Sequence, residues 1–237
     1  MAVIIDTVYQ KVLAFANKEQ RGYITPQEFN LFADQAQKEI LDQYFYDINQ
    51  FNRTHGNSTE YSDMLDLLNE KLSILEVRAL NQPVLATGIF DYQTLTPPVY
   101  RIGSVMIPDG IEIEEVNNNK FYNLSSSPLM QPSLTSPNGP VYVNRWDGLN
   151  IDPPDIGTID ISYIKVPERP QWGYVVVNEK ALFDPNPNKT TNFELHPLEE
   201  NELVYKILKF AGVTLEKQEL AGMGQQMETT KVSQEKQ

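Results

Sequence analysis

The sequence predicts an α+β fold. It consists of a helical bundle (N-terminal helices plus one C-terminal helix), a central antiparallel β insertion domain and an extended C-terminal arm. Three observations predict it. Fourteen of the 16 prolines lie between Pro83 and Pro187, with Pro26 alone before them and Pro197 alone after, and proline is excluded from helix interiors. The segments on either side of this block carry apolar residues at helical spacing. The segment inside it carries alternating runs divided by turn residues. The expected divisions are 1–80 for the N-terminal helices, 81–196 for the β-rich insertion, 197–220 for the helix completing the bundle and 221–237 for a flexible arm.

Ile5, Val8, Val12 and Phe15 are spaced for one helix face. A polar stretch from Asn17 to Tyr23 ends that helix. Thr25-Pro26-Gln27-Glu28 places Thr at an N-cap, Pro at the first helical position and Glu three residues after the cap, a complete helix start. The helix that follows carries Phe29, Phe32, Ala33, Ala36, Ile40, Tyr44 and Ile48 on one side. After a polar loop from Asn52 to Thr59, a third helix over about Glu60 to Leu75 aligns Tyr61, Met64, Leu65, Leu68, Leu72 and Leu75.

In the middle, Val99–Ile107 leads through Pro108-Asp109-Gly110 into the alternating Ile111-Glu112-Ile113-Glu114, a hairpin signal. Asp147-Gly148 lies between Val141–Val143 and Leu149–Ile151 and predicts a second hairpin. Ile159 to Tyr163 alternates as a strand. Asn178-Glu179-Lys180, between Tyr174–Val177 and Ala181–Phe183, predicts a third hairpin. Ser125 to Pro140 is rich in Ser and Pro and reads as an exposed loop. From Pro197 a helix begins with Glu199, Glu200 and Glu202 in its first turns, where the helix dipole favours acids. Its stripe is Leu203, Val204, Ile207, Leu208, Ala211 and Leu215, and Glu202–Lys206 is an i,i+4 pair in the favourable order. The polar tail beyond Gly222 has only Met223, Met227 and Val232 as anchors.

The chain of 237 residues contains 19 Lys+Arg and 32 Asp+Glu, a formal charge of -13. A protein that grips nucleic acid needs clustered cations, so this balance argues against that class. It suits a passage through which DNA slides without sticking. With no cysteine, disulfides, thiolate metal sites and cysteine nucleophiles are excluded. Two histidines, His55 and His196, are too few for a triple-histidine metal site. The N-terminal segment carries Asp6 and Lys11 within its apolar stretch, unlike a signal peptide. No apolar run has the length of a membrane span.

No catalytic, cofactor or metal site is assigned from these residues, and the protein is expected not to be an enzyme. Asn17 to Phe29 carries Gly22, Ile24, Glu28 and Phe29 at EF-hand loop positions. Asn17, Glu19 and Arg21 stand where the first calcium ligands belong, and a guanidinium donates no oxygen. A degenerate calcium-binding module is therefore the alternative rather than the first choice. Glu112, Glu114 and Glu115, with Asp109 nearby, are candidate carboxylates for a glycan-binding or hydrolytic tail protein, against the ordinary expectation of a solvated hairpin face. His55 falls in a polar loop, and His196 before Pro197 reads as part of a helix start. Trp146, Trp172 and Tyr174 are candidate core or subunit-interface anchors, and Leu215, Leu220, Met223 and Met227 are candidate anchors of the arm.

Two stretches resemble a known family. One is Asp6-Thr7-Val8-Tyr9-Gln10-Lys11-Val12 followed by Asn17 to Phe29. The other runs through Tyr163-Ile164-Lys165-Val166-Pro167, Pro170-Gln171-Trp172-Gly173-Tyr174, Phe193-Glu194-Leu195-His196-Pro197 and Glu199 to Val204. They resemble head–tail connector, or adaptor, ring proteins of tailed bacteriophages, particularly those of crAss-like and related podoviruses. The plan is similar to the podovirus adaptor family called tail tubular protein A. The resemblance implies a virion protein of the phage neck, made in the host bacterial cytoplasm. Copies of it, twelve in that family, would close a ring that docks on the portal, meets an adjacent ring or tail proteins through the C-terminal arm, and extends the channel for double-stranded DNA without binding it specifically. It implies no cofactor and no membrane. The insertion here, Pro83 to Phe193, is longer than in the simplest adaptors.

Overall fold

A computed structural model of the chain describes residues 2–18, 24–53, 59–134, 139–214, 226 and 229. The fold is α+β, with helices towards both ends of the chain and strands between them. It divides into two compact units, one made of Met1–Ile74 with Pro167–Gln237 and the other of Leu75–Val166.

In the first unit, helix α1 spans Ile5–Lys18, α2 Pro26–Arg53, α3 Thr59–Leu72 and α5 Glu200–Thr214. Helix α5 packs on α1 and α2, and α3 packs on α2. Of the expected α2 stripe, Phe29, Ala33, Ala36, Ile40 and Tyr44 are buried and Phe32 and Ile48 are half-buried, while α5 buries Leu203, Val204, Ile207 and Ala211. Phe15, placed on the buried face of α1 by spacing, is exposed, and Ala16 is buried instead. The helix start at Thr25 is a complete capping box: the Thr25 amide donates to Glu28 Oε2 at 2.9 Å and the Glu28 amide donates to Thr25 Oγ1 at 3.3 Å. The Thr25 amide, and then the Thr25 hydroxyl donating to the same Oε2 at 2.7 Å, hold the Glu28 carboxyl below its ordinary pKa.

The first unit also contains the returning chain from Pro167 to Leu195, which the sequence assigned to the β insertion. Two side-chain amides of α2, seven residues apart and so on one face, account for this. Asn30 accepts from the Trp172 amide at 2.8 Å and donates to the Trp172 carbonyl at 3.3 Å. Gln37, fully buried, donates to the Glu168 carbonyl at 2.9 Å and accepts from the Glu194 amide at 3.0 Å. Val3 bridges Phe193, and Asn192 Oδ1 accepts from the Ile5 amide at 3.1 Å, capping α1 from a distant segment.

The second unit is two sheets around one core. Strands β1 (Glu76–Pro83), β7 (Thr158–Lys165) and β3 (Val99–Met106) form one sheet in the order β1-β7-β3, antiparallel throughout. Strands β2 (Ile89–Phe90), β6 (Gly148–Asp152), β5 (Val141–Arg145) and β4 (Glu114–Glu115) form the other in that order. Val105, Ile159, Ile161 and Tyr163 from the first sheet share one cluster with Phe90, Tyr142, Leu149 and Ile151 from the second. Strand β7 alternates buried and half-buried residues, as its sequence alternates.

Three elements differ from expectation. Glu76–Pro83 is strand β1, although the sequence places its residues up to Leu80 with the helices; its half-buried Val77 and Ala79 face the core at period two. Asn118–Ser125, not expected as a helix, is α4, capped by Asn117 Oδ1 accepting from the Lys120 amide at 2.8 Å. The run after Gly110 makes only a short hairpin contact with β3, through a Met106–Glu112 bridge, and then joins β5 in parallel at Glu114 and Glu115. The antiparallel expectation thus fails at β4, where the chain has left the hairpin for a different sheet. In the β5–β6 hairpin, Arg145 pairs with Gly148, so Trp146-Asp147 forms the tip and Gly148 is the first residue of β6. Its φ of +129° and the closeness of the Phe90 carbonyl leave no room for a Cβ.

Candidate interaction surface

The residues singled out as anchors have very different fates. Trp172 is 2% exposed and belongs to the core of its own unit. Its ring lies 4.2 Å from Tyr9, centroid to centroid, and its indole N–H donates to Asp6 Oδ1 at 2.9 Å. It is therefore an internal anchor of α1 rather than a subunit contact. Tyr174 is half-buried and stacks on Trp172 at 5.9 Å. Trp146 is 88% exposed at the β5–β6 tip. Leu215, Leu220, Met223 and Met227 lie outside the described residues, as does nearly all of the arm from 221 to 237.

Trp172 supports the base of a two-stranded sheet, β8 (Tyr174–Val177) and β9 (Lys180–Phe183). Tyr174 and Phe183 pair across it and both stack on Trp172. Val177 pairs with Lys180 across Asn178-Glu179, which take φ values of 50° and 63°, the paired left-handed residues of a tight hairpin turn. Above its base the sheet is uncovered: Val175, Val176, Val177 and Leu182 are all exposed, Val176 by 63% and Leu182 by 53%. Val176 lies on one face and Val175 and Leu182 on the other. A hairpin with one face in water alternates apolar and polar residues; this one is apolar on both. The Gly173 backbone approaches Lys189 and Thr190 so closely that a Cβ would meet the Lys189 carbonyl at 2.7 Å, which fixes how the hairpin leaves its support.

In the second unit the Trp146 tip adjoins an aromatic cation group. The Arg145 guanidinium lies 5.7 Å from the Phe121 ring centre and 5.3 Å from that of Tyr122, and donates to the Tyr122 hydroxyl at 3.0 Å. Tyr122 is itself exposed.

The candidate chemical groups do not converge. Glu112, Glu114 and Glu115 are exposed; Glu114 pairs with Lys120 at 2.7 Å, and buried Ile113 and Val116 bracket the two strand residues. Glu115 instead acts on Tyr142. Burial first, then the Glu115 charge and its hydrogen bond, then Glu112, push the Tyr142 hydroxyl up to about 12. Among the described residues, no three His, Asp or Glu side chains are grouped to hold a metal. His196 caps the turn at Pro197–Glu199, its Nδ1 accepting from the Leu198 amide at 3.3 Å. Residues 19–23 of the EF-hand-like stretch, and His55, lie outside the described residues. No helix among the described residues is long and apolar enough to cross a membrane.

Sequence reasoning missed a charged group inside the helical unit. Lys71 of α3 and Glu199, 8% and 1% exposed at their side chains, pair at 2.7 Å, and the Lys71 ammonium lies 5.4 Å from the Tyr44 ring centre. Lys206 and Glu202, which the sequence placed as an ordinary helix pair, are both buried, 3.7 Å apart, with Glu39 of α2 at 3.6 Å from Lys206. The signal available was acidic residues preceding a strongly apolar helix stripe. That pattern describes helix dipole compensation equally well.

No protein-family model matches the chain, and no curated protein matches it.

Proposed function

We propose that the protein is a structural ring component of a tailed-phage neck, joining the portal to the tail and extending the DNA channel, with no chemical step of its own. The observation that carries this is that each unit presents an uncovered apolar surface. In the helical unit it is the β8–β9 hairpin; in the β unit it is Trp146 at the β5–β6 tip. A ring closes through two different patches on each copy, one meeting the other on its neighbour. The formal charge of -13 supports a wall that repels passing DNA. The resemblance of Asp6–Val12, Asn17–Phe29 and the segments from Tyr163 to Val204 to podovirus adaptors supplies the place in the particle. Its partners in this role are further copies of itself, the portal and an adjacent ring or tail protein.

Quantitative mass spectrometry of purified phage particles, scaled to the major capsid protein, tests this. About a dozen copies per particle is the expected result for a ring matching portal symmetry. Absence from the particle, or hundreds of copies, overturns it.

A further inference from the structure

We infer that β8–β9 is the element through which copies of this chain join, its unprotected β8 edge and apolar faces meeting a different patch on a second copy. This rests on the ring assembly proposed above and names the surface that makes it.

The hairpin is incomplete as it stands. Among the described residues its two strands form a sheet of their own, so each is an edge there. An isolated two-stranded sheet is marginal in water and gains stability from a third strand or a covering layer. Val177–Lys180 closes the turn, so the ladder bonds fall on that pair and on Val175–Leu182, and the Val176 amide and carbonyl point away from β9. Edge strands exposed to solvent ordinarily carry a charge, a proline or a bulge as protection. Strand β9 begins with Lys180; β8 is Tyr174-Val175-Val176-Val177 and carries none of these.

The occupant follows from charge and area. Between Gln171 and Phe183 the only charges are the adjacent Glu179 and Lys180, which cancel, whereas the whole chain stands at -13. Identical acidic copies repel over most of their surfaces, and this neutral segment is one through which they approach without that penalty. Summed over its two faces, the exposed apolar side chains of the hairpin amount to on the order of a few hundred Å². That is roughly half of the ~800 Å² each partner contributes to a standard interface. The hairpin therefore serves as the centre of a larger contact between copies.

Sedimentation velocity of the full chain from about 1 to 100 μM, a range that resolves dissociation constants of micromolar order, tests this with the variants Val176→Lys, Leu182→Lys and Val176→Thr. The lysines charge the two opposite faces; threonine keeps the backbone edge and strand propensity. Because both substituted side chains are exposed, far-UV circular dichroism and urea midpoints are expected to match the parent. The expected result is a multi-copy parent, at least a tenfold weakening of assembly in each lysine variant, and near-parent assembly for Val176→Thr. Lysine variants that assemble like the parent overturn the hairpin inference and leave the ring standing. A parent that closes as a dimer, lost in Val176→Lys, upholds the hairpin and overturns the ring. A parent monomeric throughout overturns both.

Discussion

The indole N–H of Trp172 donates to the Asp6 carboxylate at 2.9 Å across 166 residues of sequence. One end of that bond is in the first turn of α1, and the other is on the chain returning from the β unit. The same residue's backbone is held by both polar atoms of the Asn30 side chain. Trp172 is thus the point at which two distant stretches become one helical unit, and the hairpin above it inherits its position from that bond.

Trp172→Phe keeps the ring contacts with Tyr9 but removes the donor to Asp6. The expected cost is about 2 kcal/mol, the range for a hydrogen bond to a charged group, read from urea unfolding. The two tryptophans are separable by fluorescence. In Trp146→Phe the remaining emission is expected to resist iodide quenching, whereas in Trp172→Phe it is expected to be freely quenched.

Thr25→Ala removes half of the capping box and is expected to cost about 1 kcal/mol. The pH dependence has a definite sign. The Glu28 carboxyl is held below 4.5 in the folded state by the Thr25 amide and then by the Thr25 hydroxyl. Its stabilisation is fully present above the unfolded value and is lost as pH falls through the folded one. The stability gap between parent and Glu28→Gln is therefore expected to shrink in urea titrations carried out at progressively lower pH.

Breaking the buried Lys71–Glu199 pair leaves an ammonium without its carboxylate. Glu199→Ala is expected to destabilise by about 3–5 kcal/mol. The double variant Lys71→Met with Glu199→Leu is expected to recover most of that, because paired buried charges contribute little beyond apolar residues of similar volume. A double variant as unstable as the single one would show that the charges themselves hold α3 in place.

Tyr142 links the acidic run to the core of the β unit. Its hydroxyl titrates near 10 in the unfolded chain and at about 12 when folded. The folded state is therefore the weaker acid. Stability is unaffected below pH 10 and falls as pH rises from there towards 12. Tyr142→Phe is expected to flatten that alkaline decline, measured by urea midpoints alongside absorbance of the tyrosinate.

The sequence by itself determined the fold class, the course of most elements and several local devices. Proline placement marked the middle of the chain as mainly strand and turn, and α4 formed in a stretch that holds no proline. The Thr25–Glu28 box, the His196 cap and the tight turn at Asn178-Glu179 were legible because each is built from residues close together in the chain. The stripe of α2 and the alternation of β7 were legible because burial on one face imposes a period of 3.6 or 2.

Only the tertiary structure decided which tryptophan faces water, that Lys71 with Glu199 and Lys206 with Glu202 are buried pairs, and that the chain after Pro167 belongs with the helices. These depend on partners far apart in sequence: Asp6 with Trp172, Asn30 and Gln37 with the segment they hold, Lys71 with Glu199. Composition and periodicity report the environment a side chain prefers. Whether the chain supplies that environment from its own distant segments or leaves it open, as at Trp146 and Val176, is set by how those segments pack.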